Sequence, residues 1–164
     1  LSVVTGDIIA KNAYEWSKAT ESPLAQAAVR GAEKITVRPL LGHSGKAVKL
    51  PKGASLSYDF YCDKSGDARF TIAAIPCFLN AVKDMRVSVS IDRGEPVICQ
   101  LKEVYNSKDW QFDLWRGQTL KSFYVTLPGG SHNVTIKALD DNVMIDQWVL
   151  DYDVDREYYV IPVR

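Results

Sequence analysis

The chain has 164 residues, of which 46% are apolar, and its twenty Lys and Arg are matched by twenty Asp and Glu. That size and composition suit one packed domain and exclude a disordered segment. The balanced charge lacks the basic footprint of a nucleic-acid binder, and no apolar run approaches the ~20 residues a membrane helix needs.

The chain opens on Leu1-Ser2-Val3-Val4, which has neither an initiator Met nor the basic n-region of a signal peptide. It is expected to be an excised or processed piece of a longer protein. Residues 7–34 follow with Ala-rich stretches, Pro23 to Arg30 above all, and predict a short helix or an ordered loop. From about residue 46 the sequence alternates. Leu56, Tyr58, Phe60 and Cys62 share one face, with Ser55, Ser57, Asp59 and Tyr61 on the other. Ala68, Phe70, Ile72 and Ala74 repeat the pattern, then Val87, Val89 and Ile91, then Val97, Cys99 and Leu101. A period of two with one apolar face marks half-buried strands.

Residues 105–119 interrupt the rhythm. With Trp110, Phe112, Leu114 and Trp115 they predict a long inter-strand excursion containing a helical turn, of the kind that is functional or held by its own side chains. Strand patterns resume at Phe123 to Leu127, Val134 to Ala138 and Val143 to Leu150, rich in β-branched and aromatic residues. Turn signals separate the runs at Pro51-Lys52-Gly53, Lys64 to Asp67, Asp92 to Glu95 and Pro128-Gly129-Gly130. Short strands so punctuated predict an all-β sandwich or barrel.

Catalytic motifs are missing. No HExxH, CxxC, GxGxxG, P-loop or GxSxG occurs. Of the two histidines, His43 adjoins Ser44, a poor geometry for a triad, and His132 reads as a turn residue rather than a base. Cys62, Cys77 and Cys99 lie inside apolar patterns and read as core thiols, although one bridge among them is compatible with the sequence. Asp140-Asp141-Asn142 is expected to make a hairpin turn, with Asp146, Asp151, Asp153 and Asp155 solvated; such oxygen ligands also suit a structural Ca²⁺. The sequon Asn133-Val134-Thr135 carries no weight inside a strand.

Aromatic residues are the remaining candidates, because sugar-binding sandwiches stack exposed rings on pyranose faces. Trp148 sits mid-strand and is assigned to the core. Trp110 and Trp115 lie in the excursion beside polar residues. The candidate carbohydrate site is therefore Tyr105, Trp110 and Trp115 for stacking, with Asp113, Arg116 and Gln118 as polar partners.

Four segments carry a resemblance. They are Leu40-Leu41-Gly42-His43-Ser44-Gly45-Lys46-Ala47-Val48, Arg86 to Asp92, Gly129 to Lys137 and Val143 to Asp151. Their order and spacing, from about residue 8 to the C-terminus, resemble the C-terminal domain of family 115 glycoside hydrolases, the xylan α-1,2-glucuronidases, or a close relative in Bacteroidetes-type glycan-degrading enzymes. The resemblance implies a galactose-binding-like, jelly-roll antiparallel β-sandwich spanning 1–164 as one accessory domain. It also implies a parent enzyme whose glycosidase chemistry lies in other domains, in the periplasm or outside the cell. Docking on those catalytic domains, or supporting a homodimer, is the expected role; the alternative is a module binding plant polysaccharide such as glucuronoxylan. Related sandwiches hold a structural calcium on a Glu-Ala-Glu strand. Here the matching stretch is Asn12-Ala13-Tyr14-Glu15-Trp16, with both acids lost, so no cofactor is expected, a structural calcium is doubtful, and Asp146 is left as a weak candidate metal partner.

Overall fold

The computed structural model describes residues 7–77, 82–157, 161 and 163. Among these the elements run β1 (Ile8–Asn12), β2 (Lys18–Thr20), α1 (Pro23–Gln26), β3 (Thr36–Pro39), β4 (Lys46–Leu50), β5 (Ser55–Cys62) and β6 (Gly66–Ala74). They continue with β7 (Arg86–Ile91), β8 (Val97–Gln100), α2 (Lys108–Arg116), β9 (Thr119–Leu127), β10 (Gly130–Ala138) and β11 (Val143–Asp151). All strand pairings are antiparallel.

Two sheets face each other. The first has the order β3-β4-β11-β6-β9, and the second β2-β5-β10-β7-β8. β11 is shared along its length, since residues 143–145 pair with β4 and residues 147–151 with β1. The apolar halves of the alternating runs meet between the sheets. Leu56, Tyr58, Phe60, Val134, Ile136, Val87 and Val89 come from one side, and Phe70, Ile72, Val48, Leu50, Ile145 and Leu150 from the other. Trp148 is fully buried at their centre. It stacks on Phe70 at 5.4 Å and takes the edges of Tyr58 and Phe60 at 5.5 and 5.6 Å, arrangements that suit the ring quadrupoles.

β11 contains a break in parity. Val143 and Ile145 point inward, and so do Trp148 and Leu150, which strict alternation forbids. The register against β6 shifts between Ile145 and Gln147, a bulge that admits Asp146 as the extra residue. Val149 then faces outward, where it packs with Ala73 and Ile161 in a small second cluster.

The strands read from alternation are all present. Three others were not expected: β2 and β3 are exposed edge strands without an apolar face, and β1 is half-buried throughout. The Ala-rich stretch yields only the one-turn α1, capped by Ser22. Residues 139–142 do not form a hairpin; they carry the chain from β10 in one sheet to β11 in the other. Nor are all the nearby carboxylates solvated, since Asp146 and Asp151 are fully buried.

Candidate functional site

The excursion forms a true helix rather than a single turn. Ser107 caps α2 by accepting from the Trp110 N–H at 3.1 Å, and Gly117 closes it with φ 73°, donating its N–H to Asp113 O. The helix is inverted. Its one buried residue is Asp113, whose carboxylate accepts from Thr119 Oγ1 at 2.8 Å. Burial pushes the Asp113 carboxyl above the usual range. Two residues further on is roughly 200° round a helix, so burying Asp113 turns Trp115 outward. Trp115 is 93% exposed, while Phe112 and Leu114, about 60° to one side of it and 100° to the other, are 57% and 51% exposed. The Arg116 guanidinium lies over the Phe112 ring, 4.4 Å from its centre.

A loop is tied to the end of this helix. His43 Nε2 lies 2.8 Å from Arg116 O, and the same loop carries Leu40 (94% exposed) and Leu41. The loop is anchored from below by Asp146. One carboxylate oxygen accepts from His43 N–H and Gln118 Nε2, each at 2.8 Å; the other accepts from Ser44 N–H at 3.1 Å and Ser44 Oγ at 2.5 Å. A Cβ on Gly42 would overlap that carboxylate, and Gly42 also has φ 73°, so the position is built for glycine.

These contacts decide where the expected site residues go. Tyr105 and Trp115 are exposed, and Arg116 is half-buried against Phe112. Trp110 is half-buried with its ring against Tyr105, centroids 5.0 Å apart, so it holds the loop before the helix. Asp113 and Gln118 are turned inside, and neither stands beside the tryptophans as a polar partner. Gln118 instead bridges Asp146 and the Gln147 side chain. Asp146 does not suit a cation, because four N–H and O–H donors converge where a metal would need only acceptors. On the expected calcium strand, Asn12 Oδ1 accepts from Gln147 Nε2 and its amide donates to Tyr14 Oη. His43 and Ser44 do not bond to one another; the serine hydroxyl is committed to Asp146.

The outer face of the second sheet was read only as the polar half of an alternation, yet it carries a connected network. Asn133 Nδ2 donates to Asp59 at 2.8 Å, Ser57 Oγ bonds Asn133 Oδ1 and Thr135 Oγ1, and Asn133 N–H donates to Asp92. The second Asp92 oxygen lies 2.5 Å from His132 Nδ1, while His132 Nε2 lies 2.7 Å from Pro128 O. Burial opposes charge on this ring, but the Asp92 and Pro128 acceptors outweigh it, and the histidine pKa is raised. Two acceptors at two ring nitrogens call for the imidazolium.

The model of the glycosyl hydrolase family 115 C-terminal domain matches residues 8–163. The chain belongs to that family. Among solved structures it is similar to BtGH115A, a family GH115 4-O-methyl-α-glucuronidase with specificity for decorated arabinogalactans, at 26% identity and a TM-score of 0.64. That match covers 83% of this chain and 17% of the enzyme's. The C-terminal CBM6 of the Zobellia galactanivorans laminarinase LamC is similar at 16% identity and TM-score 0.57, covering 88% of this chain and 98% of its own. A family 35 carbohydrate-binding module from Clostridium thermocellum gives 13% identity and TM-score 0.59, over 87% and 98%. No curated protein matches significantly. The chain is thus a family 115 C-terminal domain, and its β-sandwich fold is shared with the two carbohydrate-binding modules.

Proposed function

We propose that this domain docks on the catalytic body of a family 115 glycoside hydrolase through the outward side of α2 and the 40–45 loop. The observation that carries the reading is the inverted helix: Asp113 is inside, and Trp115, Phe112 and Leu114 are outside, beside the loop bearing Leu40. Single exposed apolar residues are ordinary, but a cluster of this kind marks an interface. Trp and Arg, the side chains that dominate binding energy, sit together on it. The domain accounts for 17% of the BtGH115A chain, which supports a large remainder as the partner. On this reading the parent is a glycoside hydrolase of the periplasm or cell exterior, and its dimer is reinforced through the same surface. The test is sedimentation of this domain mixed with the separately produced remainder of its enzyme. Association weakened at least tenfold by Trp115→Ala supports docking; a monomer indifferent to the catalytic body overturns it.

Trp115, almost wholly exposed, also favours a second reading in which Tyr105, Trp110, Trp115 and Arg116 bind plant polysaccharide such as glucuronoxylan. The inward turn of Asp113 and Gln118 removes the polar partners such a site needs, which is why docking is preferred. Retention on a glucuronoxylan gel that survives Trp110→Ala and Trp115→Ala would eliminate sugar binding at α2.

A further inference from the structure

We propose that the outer face of the second sheet is an oligosaccharide groove centred on Asp59, Asn133 and Tyr61. It goes beyond docking, lies on the sheet away from α2, and stands whether or not α2 finds a partner.

The first support is shape. Two open depressions share Asp59, Asp92 and Asn133; the first is shallow and reaches past β5 to Ile9 and Lys11 of β1 in the other sheet. Adjoining open depressions suit an extended ligand laid along the surface rather than an ion.

The second is chemistry. A solvated outer face is normal for an antiparallel sheet, and directly opposed polar pairs such as Ser57–Thr135 and Asp59–Asn133 are common on it. Here side chains from β5, β10 and the β7–β8 turn are joined in one lattice, from Thr135 through Ser57 and Asn133 to Asp59, with Asp92 bonded to the same asparagine's backbone. A polar array held in place before the ligand arrives loses little freedom on binding. Asp59 uses one oxygen for Asn133, and its other oxygen has no bond among the described residues. Lys11 lines the first hollow, and Lys18 and Arg93 the second. Carboxylates that accept, cations that donate and hydroxyls that do both match a polyhydroxylated ligand, whose every hydroxyl is donor and acceptor at once.

The third is an exposed ring. Tyr61, at the end of β5, is 63% exposed and lines the first hollow. It presents an apolar surface with a polar tip, the combination that packs on a pyranose face.

The fourth is the β7–β8 turn. Asp92 and Arg93 have φ 52° and 57°, consecutive left-handed residues neither of which is glycine. Aspartate tolerates this conformation and arginine does so poorly. The turn brings the Asp92 carboxylate onto Asn133 and His132 and places Arg93 at the second hollow. Positive φ at both central residues, closed by Gly94 N–H donating to Ile91 O at 2.9 Å, is the pattern of a type I′ hairpin turn.

The experiment is affinity electrophoresis of this domain through gels containing glucuronoxylan, arabinogalactan or laminarin, with thermal melting to confirm that each variant is folded. We expect retardation on at least one polysaccharide, weakened at least tenfold by Tyr61→Ala and by Asp59→Ala. Tyr124→Ala, an exposed ring on the other sheet, leaves it unchanged. No retardation on any gel overturns the proposal, as does retardation that survives both variants or is lost only with Trp115→Ala.

Discussion

Replacing Asp146 by Asn keeps the shape of the side chain and removes its charge and one acceptor oxygen. Four donors converge on the native carboxylate: His43 N–H and Gln118 Nε2 on one oxygen, Ser44 N–H and Ser44 Oγ on the other. An amide offers one oxygen, so in either orientation two of the donors meet an NH₂ group that is itself a donor. Where that pair includes Ser44 Oγ, the hydroxyl can rotate to accept and recover one bond. Bonds to a charged group contribute about 1.5–3 kcal/mol each, and a donor left buried without an acceptor costs about 1–3 kcal/mol. Asp146 is fully buried, so solvent does not repair the loss. The expected cost of Asp146→Asn is therefore about 3 kcal/mol. At roughly 2–4 °C per kcal/mol for a domain of this size, the melting midpoint falls by about 6–12 °C. Urea unfolding followed by circular dichroism measures the difference directly, with the exposed Asp109→Asn as reference. A loss below about 1 kcal/mol, or one no larger than that of the reference, refutes the claim that this carboxylate anchors the loop.

The remaining predictions concern other parts of the molecule. His132 has a raised pKa, so its contribution to stability is complete below its unfolded value of about 6.5 and is lost as pH rises through the higher folded value. Stability of the native chain should therefore fall across that window, and His132→Gln should flatten the slope in denaturant titrations at several pH values. Trp148→Ala should destabilise by about 3–5 kcal/mol, because it empties the centre of the core. Trp115→Ala, on a side chain 93% exposed, should change stability by no more than about 0.5 kcal/mol in the same assay. Burial pushes the Cys62 and Cys99 thiols up and shields them, so a thiol reagent should label both only on unfolding, with half-buried Cys77 reacting first.

The strands from β4 onward were legible because each buries one face of an alternating run, and the period of two survives in the sequence whatever the topology. β2 and β3 left no such trace, since their side chains are all exposed and nothing selects apolar residues there. The bulge in β11 was hidden for a different reason. Val143, Ile145, Trp148 and Leu150 read as one apolar run, and only the partner strand shows that an extra residue has been admitted. At α2 the tryptophans were found, but Asp113 and Gln118 were grouped with them on sequence proximity alone. Helical geometry puts Asp113 opposite Trp115, and the demand of Asp146 and Gln147 for a donor draws Gln118 inside. The polar lattice of the second sheet was visible as Ser57, Asp59, Asn133 and Thr135, residues of no distinctive motif. What makes them a surface of interest is their bonding across strands far apart in sequence.

The segments Leu40 to Val48 and Val143 to Asp151, about a hundred residues apart, are one structural unit. The bulge in β11 frees Asp146 from the regular pleat, and its carboxylate captures the backbone of His43 and Ser44. Gly42 is small enough to let that carboxylate in, and its left-handed backbone turns the loop back toward β4. His43 is thereby held against the last carbonyl-bearing turn of α2, while Gln118, just beyond the helix, is drawn to the same carboxylate. One buried charge thus fixes both the loop carrying Leu40 and the helix carrying Trp115, and it has no oxygen left for chemistry. The role of this motif is to set the geometry of an exposed surface. Loosening it by Asp146→Asn should weaken association through α2 while leaving retention through the Tyr61 groove intact, because Asp59 and Tyr61 on β5, Asn133 on β10 and Asp92 on the β7–β8 turn make no bond to this loop among the described residues.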